Sequence, residues 1–190
     1  MLMSLSANDR CEKGVQAMTR TEQFSKLFCE LEGCRKDEQM QKIEEMNRLI
    51  EEMDEEEFQT VFTVERFNEM GKMIEKKTLS LESAILLLKH VGYCKMLKMY
   101  FVNSFDNSSL SKRIEKMITK EEKKTKEKDE KLLIDLSESY LFLGYFFSTK
   151  LISICVPYLL KVALKKEGNE EAQKEVEIAL LALSNVGYIV

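Results

Sequence analysis

Apolar residues recur at steps of three and four along this chain, while residues that break helices are rare. The sequence has seven glycines and one proline in 190 residues. An all-β protein of this length needs many turn residues, and an α/β enzyme carries Gly-rich turns between its strands and helices. Lys, Glu, Leu and Met dominate instead, and all four are good helix formers. The sequence therefore predicts an all-α protein.

Capping residues and apolar stripes divide the chain into separate predicted helices. Thr21 and Ser80 are of the type that begins a helix, and Gly33 and Gly168 are placed to end one. Between such residues the apolar side chains form single stripes. Residues 1–20 are expected to be poorly ordered. The predicted helices cover 21–33, 37–53, 63–76, 80–92, 132–147, 150–166 and 170–187.

Residues 112–131, KRIEKMITKEEKKTKEKDEK, are dense in charge and rich in Lys. We interpret them as an insertion or linker, either a solvated helix with ion pairs between residues four apart or a mobile segment. The alternative is a basic contact site for an acidic partner, and the interleaved Glu and Asp argue against it. Because 33 acidic residues outnumber 29 basic ones, the net charge of −4 predicts no nucleic-acid partner.

Three segments of the chain resemble one another, and each one ends in a Gly-Tyr pair. They are LKHVGY at 88–93, YLFLGY at 140–145 and LSNVGY at 183–188, with glycines 52 and 43 positions apart. Helical repeats recur at about 40–47 residues, and an insertion within 112–131 would explain the larger spacing. Each glycine is predicted to end an apolar helix so that the next helix can begin.

Residues 155–188, CVPYLLKVALKKEGNEEAQKEVEIALLALSNVGY, resemble an armadillo repeat. Residues 156–160 are similar to the start of the family's second helix, 165–170 fall where the family has a loop, and 177–185 resemble its third helix. The resemblance covers about a third of the chain. It implies a right-handed α-solenoid of about three armadillo-like repeats over residues 21–190, with an N-terminal helical extension. It also implies a non-catalytic scaffold or adaptor that binds a peptide or partner helix.

The resemblance also suggests which residues line a binding groove. Armadillo proteins that bind extended peptides carry an Asn on successive third helices, with a Trp four residues earlier. Asn185 matches the Asn, whereas the equivalent upstream positions hold Phe142 and His90, and Leu181 occupies the Trp position. Nuclear-localisation peptides are therefore not the expected ligand. By position in the repeat, His90 and Asn185 are the predicted partner-binding residues.

Two other functions remain as alternatives. The long apolar stretch 139–164 suggests a membrane-associated helical protein, but Lys150 and Pro157 interrupt it, and two buried helices are the favoured interpretation. Cys94 and His90 are four residues apart on one helix face, so a catalytic Cys–His pair is the remote alternative. A low thiol pKa at Cys94 would support that pair.

The remaining expectations concern partners and location. The five cysteines are irregularly spaced and the chain has one histidine, so we expect no metal, no cofactor and no catalytic residue. The expected partner is another protein. The apolar end, Ile189 and Val190, favours either end-to-end contact through an uncapped C-terminal repeat or a longer repeat array. The N-terminus lacks a secretory signal, which predicts an intracellular, cytoplasmic location.

Overall fold

A computed structural model of the chain describes residues 17–165 and 168–187. Within these residues it contains nine α-helices, one 3-10 turn at Phe105–Asn107 and no β-strand, which confirms the all-α class. In chain order the helices are α1 (Arg20–Glu30), α2 (Lys36–Glu52), α3 (Glu55–Val61), α4 (Val64–Glu75), α5 (Leu81–Lys98), α6 (Ser109–Glu122), α7 (Glu130–Leu143), α8 (Thr149–Ala163) and α9 (Glu170–Asn185).

Side-chain caps set most of the helix starts. Ser80 caps α5 as predicted, by accepting a hydrogen bond from the Ser83 N–H. The first helix begins earlier than predicted, because Thr19 rather than Thr21 forms a capping box with Glu22. The short helix α3 was not predicted, since its seven residues are too few to show an apolar period. Most of the segment 1–20, which we expected to be poorly ordered, lies outside the described residues.

The helices pack as two rows of neighbours. In the row that we call the B row, α5 lies between α2 and α7, and α7 lies between α5 and α9. In the A row, α4 contacts α6 and α6 contacts α8, while a hydrogen bond from Arg66 to Ser25 joins α4 to α1. Each A-row helix packs on the B-row helix that follows it along the chain, as α6 does on α7 and α8 on α9. The core fills the space between the rows.

Contacts between successive helices of a row join residues at similar sequence separations. In the B row the linked pairs include Asn47–His90, Asp135–Lys89, Glu138–Lys89 and Gly144–Asn185, at separations of 43, 46, 49 and 41 residues. In the A row the pairs are Ser25–Arg66 and Asn68–Ser109, both 41 residues apart, and Glu122–Tyr158, 36 residues apart. A helix and its neighbour in the same row are thus separated by one helical hairpin of similar length each time.

The three glycines of the Gly-Tyr motif do not occupy equivalent places. Gly144 and Gly187 follow the ends of α7 and α9 as predicted, and Gly187 has a φ of +75° that favours glycine. Gly92 instead lies inside α5, which continues to Lys98, so the prediction that it ends a helix is wrong. A Cβ at Gly92 would lie 2.3 Å from the Cβ of Phe142. Glycine is needed there because α5 and α7 approach closely. Contacts between α5 and α7 span 46 to 50 residues, so the motif spacing of 52 is two to six residues out of register.

The charged segment 112–131 divides into an integral helix and a connection. Its first part belongs to α6, whose Leu110, Ile114 and Ile118 are buried against neighbouring helices. Residues 123–129 then connect α6 to α7. The apolar stretch 139–164 is likewise divided, between α7 and α8. No helix in the described part of the chain combines the length and the apolar content that crossing a bilayer requires.

Candidate protein-binding surface

His90, one of the two predicted partner-binding residues, contacts the preceding helix of the B row. Its Nε2 lies 3.1 Å from the carbonyl oxygen of Asn47 and 3.3 Å from Oε1 of Glu51, both on α2. Burial lowers the pKa of His90, with Glu51 acting in the opposite direction. The imidazole therefore joins α5 to α2 through its Nε2.

Asn185, the other predicted site residue, donates hydrogen bonds to backbone carbonyls at the end of α7. Its Nδ2 donates to the carbonyl oxygens of Leu141 at 2.5 Å and Gly144 at 3.0 Å. Carbonyls in the last turn of a helix have no partner within the helix, so a donor from a neighbour satisfies them. Lys98 does the same for α2, by donating to the carbonyls of Glu51 and Met53. His90 and Asn185 thus hold different pairs of helices together, and the structure does not bring them to one site.

The Cys94–His90 pair has the spacing of a catalytic pair but not its electrostatics. The Cys94 Sγ lies 3.5 Å from the His90 Nε2. Burial raises the pKa of the Cys94 thiol to about 11, whereas a nucleophilic cysteine needs a thiolate near neutral pH. The low thiol pKa that would have supported this alternative is not observed. In the described ranges, no group of three or more His, Cys, Asp or Glu is arranged to hold a metal ion.

Four large apolar side chains are exposed together on the loops that follow α5 and α7. They are Met99, Phe101, Tyr145 and Phe146, and their exposed fractions are 86%, 46%, 41% and 84%. We call this set the aromatic edge. Single exposed apolar residues are common on protein surfaces. Larger exposed apolar patches can mark interaction sites.

Ring contacts connect the two loops of the aromatic edge. The rings of Phe101 and Tyr145 stack with centroids 5.4 Å apart and planes 20° from parallel. Lys95 extends beneath Tyr145, with its Nζ 3.9 Å from the ring centroid, and donates to the carbonyl of Phe142 at 2.9 Å. Burial lowers the pKa of Lys95 to about 8. Tyr145 is therefore held between a second ring and a buried amine.

Backbone features fix the shape of the aromatic edge. The Tyr145 N–H donates to Oδ2 of Asp106 at 3.0 Å. Gly144 permits this approach, since a Cβ there would lie 2.6 Å from the Phe147 ring and 3.0 Å from Oδ1 of Asp106. Met99 adopts a left-handed backbone conformation, with a φ of +59°, which is uncommon for a residue other than glycine. Tyr145 and the backbone beside it thus have partners within the fold, and such preorganisation reduces the entropy lost on binding.

The helical-repeat motif drew attention to Tyr145 but missed Met99, Phe101 and Phe146. A sequence signal for them exists, because KMYF at 98–101 and YFF at 145–147 place large apolar residues directly after helices, where polar residues are usual. Comparison of the chain with family models, with curated proteins and with solved structures finds no match.

Proposed function

We propose that this chain is a non-catalytic interaction scaffold that binds a protein partner on its aromatic edge. The observation that carries the proposal is the exposure of Met99 and Phe146 beside the stacked Phe101 and Tyr145. Aromatic residues and Met are enriched at protein interfaces, and a few such anchors supply most of the binding energy. The partner that suits this surface is a peptide or helix with apolar side chains.

The proposed scaffold is an α-solenoid of the armadillo or HEAT type. In favour of it, contacts between successive row neighbours have separations of 36–50 residues, a range that includes the 40–47 residues of such repeats. Stacked hairpins of this kind bury one another's apolar faces and leave a long surface for partners. The proposed solenoid has a right-handed twist and about three repeats. Both features are inferred from the likeness of residues 155–188 to an armadillo repeat.

The test compares variants of the full chain by quantitative affinity purification and cross-linking from its native host. Met99→Ser and Phe146→Ser each remove an almost fully exposed apolar side chain, so folding should be unaffected. Leu164→Ser is the matched control, because Leu164 is 63% exposed and lies after α8, outside the aromatic edge. We expect the double variant to lose proteins that wild type and the Leu164 variant retain in stoichiometric amount.

Retention of the same proteins by wild type, the Met99/Phe146 double variant and the Leu164 variant would overturn the proposal. Sedimentation of the purified chain covers the case of self-recognition. If wild type self-associates and the Met99/Phe146 variant is monomeric, the partner at the edge is a second copy.

A further inference from the structure

The lysines and the carboxylates of helix α6 lie on different faces of the helix. Its exposed residues from the second turn onward are lysines, spaced so that they lie on one face, and Lys123 continues the series just beyond the helix. We call this set the lysine stripe; it consists of Lys112, Lys116, Lys120 and Lys123. The stripe concentrates on one face the excess of basic over acidic residues in the segment 112–131.

The carboxylates of α6 are engaged elsewhere. Glu115 accepts a hydrogen bond from the Tyr140 hydroxyl at 2.7 Å. Glu121 is buried, pairs with Lys124 at 2.6 Å and accepts from the backbone N–H of residue 129. The third, Glu122, accepts from the Tyr158 hydroxyl at 2.6 Å. The interleaved acidic residues, which argued against a basic site at the level of sequence, therefore have hydrogen-bond partners of their own, although Glu115 also lines the cleft between α6 and α8.

Two clefts flank α6 and add further cations to the stripe. The cleft between α4 and α6, of about 400 Å³, is lined by Lys72 and Arg113 together with Lys112 and Lys116. The cleft between α6 and the start of α8, of about 450 Å³, is lined by Lys150 together with the rest of the stripe. Among the described residues, none of these seven cations lies within 4.0 Å of a carboxylate oxygen.

A second observation, independent of the charge pattern, concerns a hydrogen-bond donor of Arg113. Its Nε is buried, and no acceptor among the described residues reaches it. Buried polar atoms without a hydrogen-bond partner are rare in folded proteins. The guanidinium group is a fork of donors that matches a carboxylate. Arg113 also lines the cleft beside α4, so a carboxylate bound there would lie beside this guanidinium.

We propose that the lysine stripe and its two clefts bind a carboxylate-rich segment of a protein partner. From Lys112 to Lys123 the stripe extends about 16 Å along α6, which equals about five residues of extended chain. Alternate Glu or Asp side chains of such a segment face the same way and meet successive lysines. This surface shares no residue with the aromatic edge, so it is a second site and does not depend on the first.

The surroundings favour a peptide over a nucleic acid or an anionic membrane. Glu75 and Glu115 lie in the walls of the two clefts and interrupt the positive surface. A continuous phosphate backbone would pass these carboxylates at close range, whereas a peptide can place a neutral side chain opposite each one.

The test measures binding of the full chain to a fluorescent peptide of ten residues with alternating Glu and Ser, by anisotropy at low and at physiological salt. We expect saturable binding that weakens with salt and is absent for the same peptide with Gln in place of Glu. The variant K112Q/K116Q/K120Q should bind at least about tenfold more weakly, since three ion pairs are lost. The control variant K26Q/K131Q/K174Q removes the same charge from exposed lysines elsewhere, and should bind like wild type.

Several outcomes would overturn the proposal. Equal loss in both triple variants would show general electrostatic attraction rather than a site. Tighter, stripe-dependent binding to single-stranded DNA or to phosphatidylserine vesicles would replace the peptide with a phosphate ligand. Failure of the acidic peptide to bind wild type would also refute it. Circular dichroism checks that each variant is folded, and Phe146→Ser should retain peptide binding, which separates this test from that of the aromatic edge.

Discussion

Helices α5 and α6 both pack against α7, yet they are built for different tasks. Helix α5 is buried on almost every side, and its buried residues include Gly92 and Lys95. Helix α6 buries a narrow stripe that includes Ile114 and Ile118, and it exposes a lysine at nearly every turn. In the B row the side chains fix the spacing between helices. In the A row one face of the helix is free to contact a partner.

The difference predicts where substitutions will be tolerated. A change in α5 must be accommodated by α2 and α7 together, because close-packed interiors have little free volume. A change on the exposed face of α6 has no neighbour to disturb. Four tests of this contrast follow, beginning with the one of largest expected effect.

Gly92→Ala should destabilise the protein by more than about 3 kcal/mol, because a Cβ would lie 2.3 Å from the Cβ of Phe142. Alanine is the better helix former by about 1 kcal/mol, so helix propensity alone predicts the opposite sign. The measurement is urea unfolding followed by circular dichroism. Gly71→Ala in α4 is the matched control, since its Cβ would meet only the mobile hydroxyl of Ser109 at 3.0 Å and ordinary contacts beyond. Equal stability of the two variants would contradict the close approach of α5 and α7.

The second prediction concerns the buried ion pair between α5 and α7. The Lys89 Nζ lies 2.7 Å from Oε2 of Glu138, which is 2% exposed, and 2.9 Å from Oδ1 of Asp135. Lys89→Met should cost about 3 kcal/mol, because it leaves the buried Glu138 carboxylate without a cation. Adding Glu138→Leu removes that carboxylate and should recover most of the loss.

Urea unfolding of the four proteins in this double-mutant cycle measures the coupling between the two residues. A double variant as unstable as Lys89→Met alone would show that lost packing, rather than an unpaired charge, causes the effect.

The helices themselves could be predicted from the sequence, and the reasons are local. The cap at Ser80 and the apolar run from Ala84 to Leu88 depend on residues within a turn or two of each other. Gly92 could not be assigned in this way. A glycine after an apolar run predicts a helix end, and only the position of Phe142, 50 residues later, shows that it permits close packing instead.

The candidate sites were harder to predict for the same reason. His90 and Asn185 were chosen by their positions in a motif, but their hydrogen bonds to Asn47 and Gly144 depend on how the rows stack. The lysine stripe could not be predicted from composition, because a count of charges in 112–131 does not say which side chains face inward. The hydrogen-bond partner of Glu115 is Tyr140, which lies on another helix.

Lys95 gives a pH-dependent test of burial in the B row. Burial lowers its pKa from 10.5 to about 8. Below pH 8 the amine is protonated in both the folded and the unfolded chain, so its effect on stability is constant. Between pH 8 and 10.5 the unfolded chain binds more protons, so the contribution of Lys95 to stability increases with pH, by about 2 to 3 kcal/mol over that window.

Lys95→Met has no titrating group at this position, so it isolates that contribution. The free energy of unfolding of wild type relative to the variant should increase from pH 8 to pH 10. A difference that stays constant with pH would show that the amine is hydrated in the folded protein.

The smallest effect is expected on the exposed face of α6. In K112Q/K116Q/K120Q the free energy of unfolding should stay within about 0.5 kcal/mol of wild type or increase slightly, because like charges four residues apart repel each other. Replacing a lysine is thus expected to destabilise the protein at Lys89 on α5, whereas the lysines of the stripe on α6 are dispensable for folding. Chemical unfolding of this variant beside Lys89→Met measures the contrast directly. A loss above about 1 kcal/mol would mean that the stripe holds the A row together, and a surface needed for folding is a weak candidate for contact with a partner.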